Sequence, residues 1–240
     1  MEAGGVKNKT QITNWLLGIS LIILGAGISE CAMGGKTSWK EEVLLHDGSK
    51  IIVERSQSYG GRHEIGQSSP IREHSISFSL PNSNKSLTFK SEYSEDVGRA
   101  NLNLLALHVL NGTPYIVAEP NLCLAFNKWG RPNPPYVIFK HDGKTWQRIP
   151  LSLFPAEFKA INLIVNNGRE EDIERAASGS GYVSVADVQH INSSVTQPEY
   201  KTILREPVKG GDGITSCPDF SSQQLRSFKP PLPMKPLPEK

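Results

Sequence analysis

Cysteine is scarce in this chain, and neither sign of charge dominates it. The 240 residues include three cysteines, 26 basic residues and 24 acidic residues, for a formal net charge of +2. Binding to nucleic acid or to an acidic lipid surface usually depends on a strong field of one sign. The composition therefore predicts an ordinary mixed surface and no nucleic-acid partner.

The apolar run near the start is too short for a membrane-spanning helix. Residues 15–28 form a run of fourteen residues that includes three glycines, whereas a spanning helix needs about 20 predominantly apolar residues. The run follows a short basic start at Lys7 and Lys9 and ends just before Cys31. This layout is typical of an export signal. The sequence therefore predicts an export signal over residues 1–31, in preference to a permanent anchor.

Two ends of this signal stay open. In a lipoprotein, Cys31 would be acylated after cleavage in front of it, and Ile28 and Ser29 fit that pattern whereas Glu30 departs from it. In a plain secretory protein, cleavage would follow Ser29 or Gly34. We expect contact with a membrane only through a lipid on Cys31.

Cys123 and Cys217 are the remaining cysteines. In an oxidising compartment, two cysteines in an otherwise cysteine-free domain most simply form a disulfide. Closing a loop of about 95 residues would contribute about 4 to 5 kcal/mol by the chain-entropy estimate. The alternative is a free Cys123 buried in an apolar strand, with Cys217 loose in the tail.

Three turn signals separate apolar segments in the first part of the mature chain. They are Asp47-Gly48, Asn111-Gly112 and Asp142-Gly143. These dipeptides tolerate the positive φ angles of tight hairpin turns. The sequence therefore predicts three hairpins.

Apolar periodicity predicts the strands between these turns. Residues 75–80 alternate apolar side chains with serines, as in a strand with one solvated face, and residues 87–89 repeat the pattern. Residues 104–107 and 122–126 are apolar on both faces and predict central strands. Nine candidate strands between residues 40 and 149 predict a mainly β fold, an antiparallel β-sandwich or meander built from hairpins.

A small helical appendage is expected from about residue 151, within a single β-rich domain over residues 38–206. Pro155 can begin a helical turn through Phe158. Residues 169–177 predict a helix with three carboxylates in its first turn. Ser184 can cap a second short helix, and residues 197–206 are expected to be extended.

Residues 207–240 form an extended C-terminal segment in this interpretation. Five of the ten residues from 229 to 238 are prolines. Such a segment cannot continue a helix and samples extended polyproline II conformations. We therefore expect a disordered proline-rich tail.

Known catalytic and metal-binding motifs are missing. The chain has neither a Gly-x-Ser-x-Gly motif nor a phosphate-binding Gly-x-x-x-x-Gly-Lys loop. His46-Asp47 and His141-Asp142 resemble pairs of metal ligands, but a hairpin tip favours aspartate for its turn geometry. His63-Glu64 and the later His74 could converge on zinc, yet their spacing matches no compact motif. We expect no metal, no cofactor and no catalytic residue of a known motif.

A stiff loop over residues 127–135 combines prolines with Trp129 and Arg131. Such a loop could hold an aromatic surface ready for a sugar or a peptide. Trp129 and Arg131 are therefore candidate ligand contacts. The alternative is a proline-rich crossover in which Trp129 covers the end of a sheet.

Three segments carry a resemblance to a known group of proteins. They are WKEEVLLHDG at residues 39–48, NKWGRPNPPYVIFKHDG at residues 127–143 and QPEYKTILREP at residues 197–207. The chain resembles uncharacterised proteobacterial exported proteins, many of which carry a lipoprotein-type signal. The resemblance covers most of the mature chain without its proline-rich tail. It implies a Gram-negative cell envelope and favours acylation of Cys31, but it implies no reaction.

The sequence favours an exported, non-enzymatic envelope protein, either periplasmic or anchored to the outer membrane as a lipoprotein. It would bind an envelope protein or a glycan, or serve a structural role. One alternative is an envelope hydrolase acting on glycan or peptide, with Glu41, Glu42, Glu64 or Asp47 as candidate carboxylates. Another is a carrier of a small apolar ligand, held in a cavity between sheets. Two carboxylates in a polar cleft would favour the hydrolase.

Overall fold

The computed structural model describes residues 1, 35–81, 83, 85–165, 170–209 and 213–220. The predicted export signal, Cys31 and the proline-rich tail lie outside the described residues. From residue 35 onward, the described residues belong to one compact unit, Met33–Lys240. The fold is mainly β with antiparallel sheets, which confirms the predicted class.

Ten strands and three α-helices are found in the described part of the chain. The strands are β1 (Lys36–Leu44), β2 (Lys50–Tyr59), β3 (Ile71–Ser79), β4 (Ser86–Lys90), β5 (Tyr93–Ser94), β6 (Arg99–Ala100), β7 (Leu102–Leu110), β8 (Thr113–Pro120), β9 (Val137–His141) and β10 (Trp146–Ile149). The helices are α1 (Leu122–Lys128), α2 (Glu170–Ala177) and α3 (Val185–Asn192), and 3-10 turns lie at Leu151–Leu153, Pro198–Tyr200 and Gly213–Ser216.

The three predicted hairpins are confirmed. Each turn joins two antiparallel strands that are consecutive in the chain: β1 with β2, β7 with β8, and β9 with β10. Gly48, Gly112 and Gly143 have φ angles of 85°, 72° and 99°. A side chain is strained at such angles, which explains glycine at these positions.

The strands form two four-stranded antiparallel sheets. Sheet 1 has the order β1-β2-β3-β4 and sheet 2 has the order β10-β9-β8-β7, while β5 and β6 form a separate pair. Buried apolar side chains from both sheets form one core. They include Val43, Val53, Ile76, Phe78, Leu87 and Phe89 from sheet 1, and Leu102, Leu104, Leu107, Val109, Ile116, Ala118 and Val137 from sheet 2. The sheets therefore pack face to face, and each of these valine, leucine, isoleucine and phenylalanine side chains contributes about 1.5 to 3 kcal/mol by its burial.

The chain after residue 150 packs against the outer face of sheet 2. Phe154, Phe158 and Ile203 share a second apolar cluster with residues of β7, β8 and β9. Sheet 2 is thus covered on both faces, which explains why residues 104–107 are apolar throughout. A third cluster joins Trp39 of β1 to residues of α2 and α3.

Local sequence accounts for the first turns of α2 and α3. Three acidic residues occupy the first turn of α2, where their negative charge interacts favourably with the helix dipole. The Ser184 side chain accepts from the Asp187 N–H, and the Asp187 carboxylate accepts from the Ser184 N–H, which forms a capping box at the start of α3. Both predicted helices are therefore confirmed over their described residues.

The predicted central strand at residues 122–126 is wrong, because this segment forms α1. The run is short, and periodicity alone cannot distinguish a short buried strand from a helix. Leu122 has a φ angle of +66°, which turns the chain away from β8. Ala125 and Phe126 are buried in α1 whereas Leu122 is exposed, so the segment buries one side of a helix.

Two smaller expectations also differ from the structure. The turn from Pro155 to Phe158 closes with one hydrogen bond but forms no helix, and a 3-10 turn at Leu151–Leu153 precedes it. The segment expected to be extended contains the 3-10 turn Pro198–Tyr200, whose proline at the first position favours helical geometry. Thr202 pairs with Ala160 in an isolated bridge.

Candidate functional site: a polar cleft at one end of the sandwich

The inner face of sheet 1 changes from apolar to polar along its length. Every second residue of a strand points to the same face, and on this face Glu41, Arg55, Gln57 and His74 are buried. Arg55 is paired with Trp39 across β1 and β2, and Gln57 with His74 across β2 and β3. This polar half begins where the apolar core between the sheets ends.

Glu41 and Arg55 form a buried ion pair within this polar half. Arg55 Nη1 lies 3.0 Å from Glu41 Oε1, and Trp39 Nε1 donates to Glu41 Oε2 at 2.8 Å. The Arg55 guanidinium also lies over the Trp39 ring, 5.3 Å from its centroid. These contacts give Glu41, a candidate catalytic carboxylate of the hydrolase hypothesis, a structural role.

A polar cleft of about 1020 Å³ has His74 of this polar half in its wall. It lies where β2 ends and β3 begins in sheet 1, and where β7 begins and β8 ends in sheet 2. The side chains that line it include Tyr59, His74, Arg99, Asn103, Glu119, Asn121, Glu170, Glu171, Asp172 and Tyr200. The cleft therefore presents carboxyl, amide, hydroxyl, imidazole and guanidinium groups to a single ligand-sized space.

Glu119 is a buried acid in the wall of the cleft. Its carboxyl accepts hydrogen bonds from the Tyr200 hydroxyl at 2.8 Å and from Asn103 Nδ2 at 3.4 Å. Burial raises the pKa of Glu119 to about 7, and the nearby Glu199 adds to this, while the two hydrogen bonds oppose it. Glu119 can therefore hold or release a proton near neutral pH.

His74 contributes a neutral imidazole to the same cleft. The residue is 1% exposed, and neither ring nitrogen makes a hydrogen bond of good geometry with the described residues. Burial, and then the charge of Arg55, lowers the pKa of His74 to about 3, which the neighbouring Asn103 side chain opposes. The ring therefore stays neutral, with one donor and one acceptor nitrogen.

The start of α2 forms the acidic wall of the cleft. Glu170 Oε1 accepts from Gln57 Nε2 at 2.9 Å and from Thr37 Oγ1 at 3.3 Å, which connects α2 to sheet 1. Glu171 and Asp172 line the cleft beside it. The structure thus brings carboxyl groups of β8 and α2 to one cleft.

The other carboxylates predicted as catalytic candidates lie elsewhere. The Asp47 carboxylate accepts from the Ser49 N–H at 3.0 Å and belongs to the hairpin turn, as expected. Glu42 pairs with Lys50 at 3.0 Å. Glu64 is exposed in the loop before β3. None of these three side chains lines the cleft.

The histidines predicted as candidate metal ligands do not converge. The His141 ring accepts from the Gly143 N–H in its own turn, and His63 Nδ1 lies 2.8 Å from the Gly61 carbonyl. His46 packs edge-on against Phe158. Across the described ranges, no three His, Cys, Asp or Glu residues are grouped so that they could hold a metal ion.

Cys123 of α1 and Cys217 form a disulfide, the pair expected from the cysteine count. Arg131 strengthens the same junction, because its Nη2 and Nη1 donate to the Cys217 and Pro218 carbonyls at 2.8 and 3.0 Å. Asn127 Nδ2 also donates to the Pro218 carbonyl at 2.9 Å. These contacts attach residues 217–218 to α1 and the loop that follows it.

Trp129 packs against the core between the sheets, 6.0 Å from Phe139 between ring centroids. The Arg148 guanidinium lies over its ring at 5.3 Å. Neither Trp129 nor Arg131 lines the cleft. These contacts agree with the alternative in which Trp129 covers the end of a sheet. Ligand contact by Trp129 and Arg131 stays a prediction.

Sequence patterns singled out His74, but as a candidate zinc ligand, and they did not predict the cleft. Asn103 and Glu119 are direct partners across β7 and β8, but they lie 16 positions apart with no motif around them. A usable signal was polarity at core-facing positions, since Arg55, Gln57 and His74 interrupt the apolar alternation of β2 and β3. Buried polar positions of this kind are uncommon without a partner or a function.

No helix in the described part of the chain is both long and apolar enough to cross a membrane. Comparisons of the chain with protein-family models, with curated proteins and with solved structures return no match. The resemblance to exported proteobacterial proteins therefore stays a prediction from its three motifs.

Proposed function

We propose that this protein is exported to the cell envelope of a Gram-negative bacterium and binds a glycan in the polar cleft. The observation that carries the proposal is the lining of the cleft, where Glu119, Asn103, Asn121 and Tyr200 meet around a ligand-sized space. Sugar hydroxyls both donate and accept hydrogen bonds, so they complement a wall of amide, carboxyl and hydroxyl groups.

The same lining makes the other ligand classes less suitable. A carrier of an apolar ligand needs mainly apolar walls, whereas four carboxyl groups line this cleft. An extended peptide is usually recognised by a free sheet edge together with side-chain pockets. Here Asn103 and Glu119 alternate with core residues of β7 and β8 and so point to the outer face of sheet 2, and the outer edge of β7 is already bonded to residues 162–163. A saccharide fits this arrangement best.

The location in the envelope rests on the sequence. A basic start, a short apolar run and Cys31 have the layout of an export signal, and a disulfide between Cys123 and Cys217 suits an oxidising compartment. Incorporation of labelled palmitate into the wild type, and its loss in Cys31→Ser, would establish the lipid anchor. Absence of label from the wild type would reject the lipoprotein.

Calorimetric titration with oligosaccharides tests glycan binding. Pentamers of N-acetylglucosamine and of glucosamine supply a neutral and a basic probe with the same backbone. We expect at least one of them to bind, and Tyr200→Phe to weaken it roughly tenfold, because the hydroxyl that holds Glu119 is lost. Tyr182→Phe, outside the cleft, is the matched control. If neither pentamer binds, the proposal fails.

Hydrolysis of the bound glycan is the second candidate function, and the pKa of Glu119 favours it. A carboxyl with a pKa near 7 can protonate a glycosidic oxygen at neutral pH. A carboxylate of α2 would then activate water or act as the nucleophile on the opposite side of the sugar. Release of new reducing ends by the wild type, but not by Glu119→Gln, would support hydrolysis. Intact oligosaccharide after prolonged incubation would reject it.

A further inference from the structure

Glu119 is a buried carboxyl without a cation beside it. It is 5% exposed, and the two groups that hydrogen-bond to it, Tyr200 and Asn103, are neutral. Within the described residues, no lysine or arginine forms an ion pair with it or shifts its pKa. Buried carboxylates are normally paired with a cation. Glu119 can therefore supply the acidic half of an ion pair to a cation that enters the open cleft.

The surroundings of Glu119 carry more negative than positive charge. Tyr200 and Glu199 from the last part of the domain act directly on Glu119. The other titratable and charged groups that line the same cleft are Tyr59 from β2, His74 from β3, Arg99 from β6, and Glu170, Glu171 and Asp172 from α2. Arg99 is the single basic side chain among the described residues that line the cleft. Opposite these carboxyl groups, a cationic ligand is favoured over a neutral or anionic one.

His74 supplies an independent sign of a ligand. Its ring is buried in the cleft wall, and both ring nitrogens lack a hydrogen-bond partner of good geometry among the described residues. A buried polar atom without a partner is costly, and a ligand that supplies one offsets this cost. The neutral imidazole offers an acceptor nitrogen, which an ammonium group can satisfy.

From this arrangement we infer that the glycan bound in the cleft carries a free amino group, whose ammonium lies against the Glu119 carboxylate. The inference rests on the proposed glycan binding and narrows it to amino sugars that are not N-acetylated. Tyr200 and Asn103 orient the carboxylate, Glu119 supplies the charge, and His74 accepts a further hydrogen bond from the ligand.

The two pentamers used above separate this inference from glycan binding in general, because they share a backbone and differ in charge. We expect the glucosamine pentamer to bind at least about tenfold more tightly than its N-acetylated counterpart at neutral pH. Glu119→Gln should remove most of this difference. The matched control is Glu54→Gln on the exposed face of β2, which should leave it unchanged.

Non-specific attraction to the acidic wall is tested with salt. Exposed charges are strongly screened at about 0.5 M salt, whereas a buried pair is screened much less. The preference for the glucosamine pentamer should therefore persist at that salt concentration. Its disappearance would overturn the inference and assign the preference to surface charge.

A second measurement does not depend on the fold of a variant. In the wild type, ¹³C NMR of the glutamate side-chain carboxyls reports the pKa of Glu119, and saturation with the glucosamine pentamer should lower that pKa by about one unit or more. An unchanged pKa would overturn the inference. Equal binding of both pentamers would also overturn it but leave glycan binding intact, whereas no binding by either would reject both.

Discussion

The Tyr200 hydroxyl donates a 2.8 Å hydrogen bond to Glu119 Oε2. This bond connects the C-terminal part of the domain to β8 of the sandwich, across sequence positions that lie 81 residues apart. It also sets the direction in which the carboxyl group faces. The chemistry of the cleft therefore depends on how residues 198–200 dock against sheet 2.

Removal of this hydroxyl should raise the pKa of Glu119 further. The Tyr200 hydrogen bond favours the ionised carboxyl and so holds the pKa down against the effect of burial. We expect Tyr200→Phe to move the pKa above about 7 and to lower the free energy of unfolding by about 1 kcal/mol. NMR titration of the Glu119 carboxyl measures the first effect and urea unfolding the second. A lower pKa in the variant would contradict this assignment.

The Cys123–Cys217 disulfide should be a major source of stability. The two cysteines are 94 positions apart, so the bond closes a long loop and strongly constrains the unfolded chain. Replacing both by serine should lower the free energy of unfolding by about 2 to 5 kcal/mol. Calorimetric melting with and without reductant measures this. Cys31→Ser is the control, and a melting temperature that reductant leaves unchanged would contradict the role of the bond.

Stability should decrease as the pH falls from 7 towards 4. Burial lowers the pKa of His74 to about 3 and that of His108 to about 4 in the folded protein, whereas an unfolded histidine titrates near 6.5. Below pH 6.5 the unfolded state therefore binds protons that the folded state does not. Each histidine should therefore lower the free energy of unfolding by roughly 2 kcal/mol between pH 7 and pH 5.

Protonation of Glu119 should raise the free energy of unfolding over the same pH range. Its folded pKa of about 7 lies above the unfolded value, so the folded state binds the extra proton as the pH falls. This offsets roughly 2 kcal/mol of the loss at pH 5. Urea unfolding at pH 7, 6 and 5 should show a steeper loss for Glu119→Gln than for the wild type. A shallower loss in that variant would contradict the sign given to Glu119.

The Glu41–Arg55 pair should be sensitive to the loss of one partner. Both side chains are almost fully buried, so Arg55→Met leaves the Glu41 charge uncompensated. We expect a loss of about 3 to 5 kcal/mol in the free energy of unfolding, and partial recovery in the double variant Glu41→Leu, Arg55→Met. The exposed pair Lys90–Glu73 is the control and should contribute at most about 1 kcal/mol. A double variant less stable than Arg55→Met would contradict this.

Local chemistry accounts for what the sequence predicts correctly. Asp47-Gly48, Asn111-Gly112 and Asp142-Gly143 specify hairpins because the turn requires particular φ angles, and neighbouring residues alone satisfy that requirement. Ser184 likewise caps α3 through a residue three positions away. Strands, hairpins and capped helices could therefore be predicted from short segments.

The cleft could not be predicted in this way, because its residues meet only through tertiary packing. His74 and Glu119 come from different sheets, and Tyr200 comes from the last part of the domain. The failed strand at residues 122–126 has a different cause, because a short apolar run does not distinguish a buried strand from a helix. The candidate catalytic carboxylates Glu41 and Glu42 have cross-strand partners that no motif revealed.

The most direct test of amino-sugar binding in the cleft is a ¹⁵N–¹H NMR titration of the mature protein with the glucosamine pentamer. The proposal predicts saturable shifts at the amides of Asn103, Glu119 and Tyr200, with the hairpin tips at Asp47 and Asp142 unchanged. The absence of shifts in the cleft, or saturable shifts confined to surfaces outside it, would contradict it.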